Sequence, residues 1–147
     1  MIGIDIVEVE RIKNIYRRHG LSFLEKLLDR QEINELPAER SRCFFRKLSC
    51  YIASKEAIYK ACFDHDLGWK DIVICNIAET PLINIKKSDV THKIKLAYTI
   101  GKELVISLAL MIRPDEALVP VSLCHGTSTL QPYPGGPPLV MREKIDA

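Results

Sequence analysis

The chain has 147 residues, enough for one domain or for one domain and a tail, and its apolar fraction of 47% and charged fraction of 27% are typical of a globular protein. No run reaches the roughly 18 apolar residues that a membrane span needs, and the start lacks the basic and apolar regions of a secretory signal, so we expect neither. A net charge of +2 gives no indication of nucleic-acid binding, although a local basic patch could still select an acidic partner.

The amino-terminal part of the chain predicts a strand followed by helices. Residues 2 to 7 alternate isoleucine with other residue types, which is the period of a strand, although the run contains Asp5. Apolar residues at helical spacing then predict a helix that ends at Gly20, followed by one or two short helices before Pro37.

The longest predicted helix covers about residues 38 to 63. Its apolar stripe comprises Phe45, Leu48, Ile52, Tyr59 and Phe63, and a second face suited to close packing comprises Ala53, Ala57 and Ala61. After this helix the apolar period changes from about 3.6 to 2, and four segments predict strands. They are residues 71–77, 82–86, 94–100 and 104–112.

The order of these elements predicts the fold class. The last two strands are close enough in sequence to form a hairpin. One strand, then helices, then a run of antiparallel strands predicts an α+β domain in which an antiparallel sheet packs on a long helix.

Residues 113–147 differ in composition and are interpreted as a Pro/Gly-rich extension of a domain formed by residues 1–112. Six of the eight prolines lie there, and the segment has no periodicity, so it cannot bury enough surface to offset its ordering entropy. The alternative is a tail that packs along the domain or along a neighbour. We expect deletion of residues 120–147 to leave fold and activity mostly unchanged.

The cysteines and histidines do not form a recognisable metal motif. The five cysteines are odd in number and none are spaced as Cys-x-x-Cys, while the four histidines are scattered, which argues against a structural zinc site. Reduced thiols in a cytoplasmic protein are the simplest interpretation.

Two acidic residues interrupt apolar patterns. Asp5 lies within the first strand, where aspartate is depleted, and Glu56 interrupts the stripe of the long helix, so both carboxylates are expected at one interior edge. Burying them unpaired would be costly. Mg²⁺ would remove that cost, since it is typically held by one or two carboxylates together with substrate phosphates and waters. Lys55 and Lys60 flank Glu56 and could meet those phosphates.

Spacing alone leaves simpler interpretations open. Glu56 and Lys60 are four residues apart, which is the spacing of an ordinary ion pair on a helix surface. Asp5, close to Gly3, could equally cap the end of a strand.

Two segments carry a family resemblance. "GIDIVEVERI" at residues 3–12 and "SKEAIYKA" at residues 54–61 resemble the two signature segments of the holo-acyl-carrier-protein synthase family, the small 4′-phosphopantetheinyl transferases. "LGWKDIVICN" followed by "TPLINI" is similar to the strand pair that follows the long helix in that family. The similarity covers roughly residues 2–112 and implies a 4′-phosphopantetheinyl transferase-like fold.

The resemblance implies a reaction and a quaternary structure. Family members transfer the 4′-phosphopantetheine group of coenzyme A to a serine of apo-acyl carrier protein and release adenosine 3′,5′-bisphosphate. Their Mg²⁺ is held by residues that match Asp5 and Glu56. The serine proton would go to Asp5, to Glu56 or to a water on the metal, and the sequence leaves that choice open. Family members are homotrimers with sites between subunits.

The resemblance also assigns individual residues. The catalytic residues would be Asp5, Glu56 and Lys60, and the residues binding coenzyme A would be Arg42, Arg46, Lys55, Tyr59, Lys60 and Pro81. The positions that match the family's carrier-protein docking contacts on the first helix are Arg11, Ile15 and Arg18. The alternative for both sets of arginines is a solvated basic helix face.

The sequence departs from the family pattern at four positions. Tyr51 replaces an arginine, Tyr59 a serine, Thr80 the lysine of a Gly-Lys-Pro turn, and Lys95 a histidine. These departures retain the two metal ligands but alter positions that contact coenzyme A. They motivate a second hypothesis, a homologue that binds carrier protein or nucleotide without catalysis. A Mg²⁺-dependent nuclease is a third hypothesis and ranks last, because the lysine directly precedes the glutamate instead of following it.

Overall fold

A computed structural model describes residues 1–62, 67–86 and 93–112. The predicted extension from residue 113 lies outside the described residues, as does Phe63 of the predicted stripe. No helix within the described ranges is both long enough and apolar enough to cross a membrane.

The described part of the chain forms a strand, four helices and a further set of strands, as the sequence predicts. The elements are β1 Ile2–Glu8, α1 Val9–His19, α2 Leu21–Leu27, α3 Arg30–Glu35, α4 Phe44–Cys62, β2 Ile72–Cys75, β3 Leu82–Ile85, β4 Lys93–Ile100 and β5 Leu104–Ile112. A single 3₁₀ turn, Trp69–Asp71, precedes β2.

Local sequence explains where the short helices begin and end. Gly20 has a φ of 54°, a left-handed conformation that favours glycine, and its N–H donates to the carbonyl of Tyr16 to close α1. Asp29 and Glu32 form a capping box at the start of α3, in which each side chain accepts a backbone N–H at the helix start.

The long helix begins later than predicted, at Phe44 instead of about residue 38. The intervening residues form turns in which the N–H of Ser41 donates to the Ala38 carbonyl and the hydroxyl of Ser41 accepts the N–H of Cys43. Local hydrogen bonds from a serine compete with helix formation in this way. The helix is buried on more sides than the predicted stripe, since Ser54 and Lys55 are buried as well.

The strands form two separate antiparallel sheets. The larger has the order β1–β5–β4, with β4 and β5 as the predicted hairpin, and the smaller pairs β2 with β3. Asp5 is opposite Ser107 in the middle of β1, so it does not cap a strand end. The helix α4 packs against β1, β4 and β5, and also contacts α1 and β2.

The two faces of the larger sheet differ in composition. The face against α4 is buried and carries small, polar or β-branched residues: Gly3, Val7, Val105, Ser107 and Ala109. The outward face carries exposed aliphatic residues: Ile2, Ile4, Ile6, Leu104, Ile106 and Leu108. We call this second set the outward aliphatic face.

Candidate active site

A cavity of about 390 Å³ lies where β1, α1 and α4 meet. Its polar lining includes Asp5, Glu8, Arg11 and Glu56, and its apolar lining includes Ile12, Ile15, Phe23, Leu27, Ile52 and Trp69. The two acidic residues that interrupt the sequence pattern therefore line one cavity, as expected from the sequence.

A close approach of β1 to α4 brings the two acids to that cavity. A Cβ atom on Gly3 would lie 1.9 Å from the carbonyl oxygen of Ala57 and 2.7 Å from the N of Ala61, distances that no side chain can occupy. Glycine on the strand and alanine on the helix thus let the two backbones touch. Asp5, two residues further along the same face of β1, is thereby placed against the turn of α4 that carries Glu56 and Lys60.

Lys60 connects the two carboxylates. Its ammonium donates to Asp5 Oδ1 at 2.8 Å and to the carbonyl of Ile4 at 3.4 Å, and it lies 3.9 Å from Glu56 Oε1. The hydrogen bond to Asp5 raises the pKa of Lys60 above its ordinary value. The predicted surface pair between Glu56 and Lys60 is present, but the shorter contact is with Asp5 on another element.

The donor set fits a magnesium ion. Both carboxylates are partly exposed, with 16% of the Asp5 side chain and 31% of the Glu56 side chain accessible, and a cation already lies between them in the form of the Lys60 ammonium. Across the described ranges no group of three or more His, Cys, Asp and Glu side chains could hold a metal. Two carboxylates are nevertheless enough for Mg²⁺ when substrate phosphates and waters complete its shell.

Lys55 does not line the cavity that contains Asp5 and Glu56, and its contact with coenzyme A stays a prediction. Its side chain is fully buried, and its ammonium lies 2.6 Å from a carboxylate oxygen of Glu32, which is equally buried. The ammonium also donates to the backbone carbonyls of Leu27 at 3.0 Å and Trp69 at 3.2 Å. Because an ammonium has three protons, these three acceptors leave none for a phosphate.

Glu32 completes this buried cluster. Its carboxylate also accepts the backbone N–H groups of Asp29 at 2.7 Å and Ile74 at 2.9 Å. Burial raises the pKa of Glu32 and lowers the pKa of Lys55, because both charges lose solvation, while their mutual attraction opposes both shifts. Removal of either partner would leave the other charge buried without compensation.

The remaining predicted coenzyme A residues do not line the cavity. Arg42 and Arg46 are exposed near the start of α4, and Arg46 lines a second cavity of about 250 Å³ together with Lys47 and Tyr98. Tyr59 is half-buried against the core, and Pro81 is half-buried just before β3. None of these four residues therefore lines the cavity that contains Asp5 and Glu56, and their contacts with coenzyme A stay predictions.

The predicted docking residues divide into two groups. Arg11 and Ile15 line the cavity that contains Asp5 and Glu56, whereas Arg18 is exposed near the end of α1 and does not line it. The basic face of α1 thus begins at the mouth of the cavity and extends away from it.

Two of the departures from the family pattern have clear locations in the structure. Tyr51, where the family has arginine, is fully buried and its hydroxyl donates to Glu35 Oε2 at 2.7 Å. Lys95 is exposed on β4 on the same side of the sheet as Ala97 and Thr99. Neither residue lines the cavity that holds Asp5 and Glu56.

Sequence reasoning missed the apolar wall of the cavity and the buried carboxylate. Phe23, Leu27 and Trp69 come from segments that the sequence predicted only as short helices or a helix break. The capping-box spacing of Asp29 and Glu32 was readable. The pairing of Glu32 with Lys55 joins distant segments and left no local signal.

Comparisons with known proteins agree with this fold and cavity. Residues 1–109 match the model of the family described as the 4′-phosphopantetheinyl transferase superfamily. The holo-acyl-carrier-protein synthase of Chlorobaculum parvum is 32% identical over 114 residues, covering 75% of this chain and 96% of the relative. That of Ehrlichia chaffeensis is 30% identical over 117 residues, covering 75% and 94%.

The comparison with solved structures leads to the same family. A crystal structure of the Helicobacter pylori holo-acyl-carrier-protein synthase in complex with coenzyme A superposes with a TM-score of 0.66 and 26% identity, covering 76% of this chain and 100% of that one. The residues matched by the family model, 1–109, contain both acids, the close contact of β1 with α4 and the residues that line the cavity. The chain therefore belongs to the 4′-phosphopantetheinyl transferase superfamily and is similar over most of its length to holo-acyl-carrier-protein synthases.

Proposed function

We propose that the protein transfers the 4′-phosphopantetheine group of coenzyme A to a serine of apo-acyl carrier protein in a Mg²⁺-dependent reaction that releases adenosine 3′,5′-bisphosphate. The observation that carries the proposal is that Asp5 and Glu56 line one cavity, with Lys60 bound to Asp5, in a chain of this superfamily. The apolar wall beside these groups can contact the methyl and methylene groups of the pantetheine arm.

Asp5 and Glu56 would hold the magnesium ion, which when bound neutralises charge on the transferring phosphoryl group. Lys60 is 46% exposed and is held by Asp5. Its flexible ammonium can therefore exchange the carboxylate for a phosphate oxygen of coenzyme A.

We assign acceptance of the serine proton to Glu56 in preference to Asp5. Asp5 Oδ1 accepts a hydrogen bond from Lys60 at 2.8 Å, whereas Glu56 Oε1 lies 3.9 Å from the same ammonium, beyond hydrogen-bond distance. Glu56 is also the more exposed of the two. A general base must reach the proton that it removes. Unlike Asp5, Glu56 accepts no hydrogen bond from Lys60 and so has a carboxylate oxygen available for that proton.

The basic side of α1 would dock the carrier protein. Arg11 lies at the cavity that holds Asp5 and Glu56, and Arg18 lies seven residues later, on the same side of the helix. An acidic helix bound along Arg11, Ile15 and Arg18 would bring its serine toward the two carboxylates. Changing Arg11 and Arg18 to Glu should raise the Michaelis constant for carrier protein strongly and that for coenzyme A little. The wild-type constant for carrier protein should also rise with salt, because such contacts are screened over about 8 Å.

The outward aliphatic face supports a homotrimer. Ile2, Ile4 and Ile6 are 63%, 52% and 59% exposed, next to three exposed aliphatic residues of β5. A contiguous aliphatic patch of this kind marks a contact between proteins. Copies of the same chain are the proposed occupants, and light scattering of the purified protein should report three subunits. A monomer at micromolar concentration would contradict this part of the proposal.

The reaction itself is tested by mass spectrometry of apo-acyl carrier protein incubated with the protein and coenzyme A, with and without Mg²⁺. We expect a gain of one phosphopantetheine only when Mg²⁺ is present. Asp5→Asn and Glu56→Gln should each abolish the gain. Intact binding of coenzyme A without transfer would instead favour the non-catalytic homologue, and cleavage of nucleic acid without transfer would revive the nuclease hypothesis.

A matched pair of lysine variants separates catalysis from surface charge. Lys60 and Lys86 are 46% and 48% exposed and pair with aspartates at 2.8 Å and 2.7 Å. Lys86 pairs with Asp29 and does not line the cavity that contains Asp5. Lys60→Met should lower kcat/KM strongly, and Lys86→Met should leave it near the wild-type value. Equal effects of the two changes would remove Lys60 from the site.

A further inference from the structure

The buried pair of Lys55 and Glu32 is the strongest charged feature that the proposed reaction does not use. Both side chains are fully buried, and their charged atoms lie 2.6 Å apart. A buried ion pair is weak evidence for stability, because the cost of desolvating two charges offsets most of their attraction. Stability alone therefore does not explain why this ion pair lies next to Glu56.

The contacts of Lys55 supply that explanation. Its ammonium donates to the carbonyls of Leu27 at 3.0 Å and Trp69 at 3.2 Å, and the side chains of these two residues form part of the wall of the cavity. Leu27 ends α2, and Trp69 begins the 3₁₀ turn before β2. The lysine itself directly precedes Glu56, so one ammonium links two wall segments to the helical turn that presents the carboxylate.

Glu32 orients the ammonium for this task. Its carboxylate is fixed by the backbone N–H of Asp29 at the start of α3 and by the N–H of Ile74 in β2. These contacts hold the carboxylate at a set place, and the carboxylate in turn directs one of the three ammonium protons. The other two protons then point to the carbonyls of Leu27 and Trp69.

We propose that Lys55 is a positioning residue, which with Glu32 fixes the cavity wall formed by Leu27 and Trp69 relative to Glu56. This inference rests on the proposed function for its catalytic consequence only. The geometric part concerns the distance between Trp69 and α4 and can be measured without turnover. A displacement of about 1 Å at a reacting group can cost on the order of 100-fold in rate, so the wall need not move far to matter.

The decisive variant is the double change Glu32→Gln with Lys55→Met. Glutamine keeps one side-chain oxygen, which can accept the N–H of either Asp29 or Ile74 but not of both, because these groups contact different oxygens of Glu32. Methionine keeps the length of the lysine stem. Both buried charges are removed together, so neither is left without compensation. The hydrogen bonds from position 55 to the carbonyls of Leu27 and Trp69 are then lost.

Two readouts report on position. Trp69 is the single tryptophan of the chain, so its fluorescence and its quenching by acrylamide report directly on the wall. In the double variant we expect a folded protein with a shifted emission maximum and a higher quenching constant. With coenzyme A and apo-acyl carrier protein, kcat should fall by about 10- to 100-fold while both Michaelis constants change little.

Ser107→Ala is the matched control. It removes another buried polar contact of α4, the 3.1 Å contact between the hydroxyls of Ser107 and Ser54, the residue just before Lys55. This contact touches neither Leu27 nor Trp69. The control should lose stability without a change in Trp69 quenching or in kcat.

The outcomes separate the possibilities. Wild-type quenching and wild-type kcat in the double variant would overturn the assignment, because Lys55 would then contribute only to folding. A fall in kcat with unchanged Trp69 quenching would also overturn it. If the wild-type protein shows no transfer at all, the proposed function fails, but the response of Trp69 still decides the geometric assignment.

A single variant separates the two carbonyl contacts from the ion pair. Glu32→Gln alone leaves Lys55 buried without a carboxylate, so it should lower the free energy of unfolding, and it is measured at a temperature where circular dichroism shows it folded. The side-chain nitrogen of Lys55 still has protons for the carbonyls of Leu27 and Trp69. Near-wild-type quenching and kcat in this variant would support the carbonyl contacts as the positioning element. A loss of kcat as large as that expected for the double variant would overturn the assignment. The loss would then be caused by removal of the ion pair with Glu32 and not by loss of the hydrogen bonds to the two carbonyls.

Discussion

The two faces of the three-stranded sheet differ most along β1, where Gly3 and Asp5 face α4 and isoleucines face outward. In β4 the pattern is the usual one, since Ile94 and Leu96 pack against the core and Lys95 is exposed. The face against α4 carries Gly3, Asp5 and Ser107, and it is buried except at Asp5. The other face carries the isoleucines of β1 and the aliphatic residues of β5, and it is exposed. In a monomeric sheet with one covered side, the aliphatic residues would face the helix.

The two faces of β1 and β5 therefore have different roles, one in forming the site and one in the proposed assembly. The inward face uses small residues so that the backbone of β1 reaches α4, which delivers Asp5 to Glu56 and Lys60. The outward face presents large aliphatic residues of β1 and β5, which the proposed contact with other copies would bury. The site and the proposed assembly surface therefore lie back to back, one residue apart along β1.

The largest effect is expected from a methyl group on the inward face. Gly3→Ala would place a Cβ atom 1.9 Å from the Ala57 carbonyl, and the resulting separation of β1 from α4 should cost about 3 kcal/mol or more of unfolding free energy. Urea denaturation measures this. Gly101→Ala is the control, since its Cβ would lie 3.1 Å from the Leu104 carbonyl, a contact that small shifts relieve. If Gly3→Ala and Gly101→Ala had similar unfolding free energies, the close approach of β1 to α4 would not be the reason that Gly3 must be glycine.

A charge on the outward face should break assembly without unfolding the subunit. Ile4→Glu places a carboxylate in the outward aliphatic face, opposite Leu108, and should convert the trimer to monomers with an unchanged far-ultraviolet circular dichroism spectrum. Leu82→Glu is the matched control, because Leu82 is 59% exposed but lies in the smaller sheet. Light scattering distinguishes them. A trimer that survives Ile4→Glu would place the interface elsewhere.

A smaller effect should follow from the polar pair under the sheet. The hydroxyls of Ser54 and Ser107 are 3.1 Å apart and buried, so Ser107→Ala should cost about 1 kcal/mol of unfolding free energy. The double change with Ser54→Ala should cost less than the sum of the single changes, since both polar groups are then removed. A double-mutant cycle in urea measures the interaction energy between the two hydroxyls. Strictly additive losses of unfolding free energy would show that the two hydroxyls do not stabilise each other.

The smallest effect concerns Lys60 and stability. Because the pKa of Lys60 is raised on folding, its contribution is present below its ordinary value of 10.5 and is lost as pH rises through the folded value. The side chain is nearly half exposed, so Lys60→Met should cost less than about 1 kcal/mol at neutral pH. The difference from wild type in urea denaturation should shrink as pH rises above 10.5 and through the raised pKa of Lys60. If the difference in unfolding free energy between wild type and Lys60→Met instead grew with pH, the pKa of Lys60 would be lowered on folding and not raised.

Sequence patterns predicted those features that depend on neighbouring residues. The strand and helix periods gave the α+β class and the hairpin, and the two acids out of pattern met at one cavity as expected. The start of α4 was placed too early because the turns near Ser41 depend on local hydrogen bonds. Which side of β1 faces inward could not be read, since the buried side carries Gly3 and Asp5.

Lys55 shows most clearly why the rest could not be predicted. Its neighbours in sequence are Ser54 and Glu56, and a lysine beside a glutamate on a helix usually faces solvent. Its burial depends on a carboxylate of α3 and on two carbonyls of other segments, which only the assembled fold brings together. Metal binding, carrier docking and the trimer stay predictions for the experiments above.

The pairing of β1 with β5 has a consequence for how the protein folds during synthesis. Asp5 of β1 lies opposite Ser107 of β5, so β1 pairs with a strand that is synthesised much later in the chain. Such non-local contacts are slow to form. Until residues 104–112 emerge, β1 is an aliphatic strand without its partner in the sheet, a species prone to aggregation. Chains that terminate before β5 should therefore be recovered as aggregates instead of as weakly active enzyme.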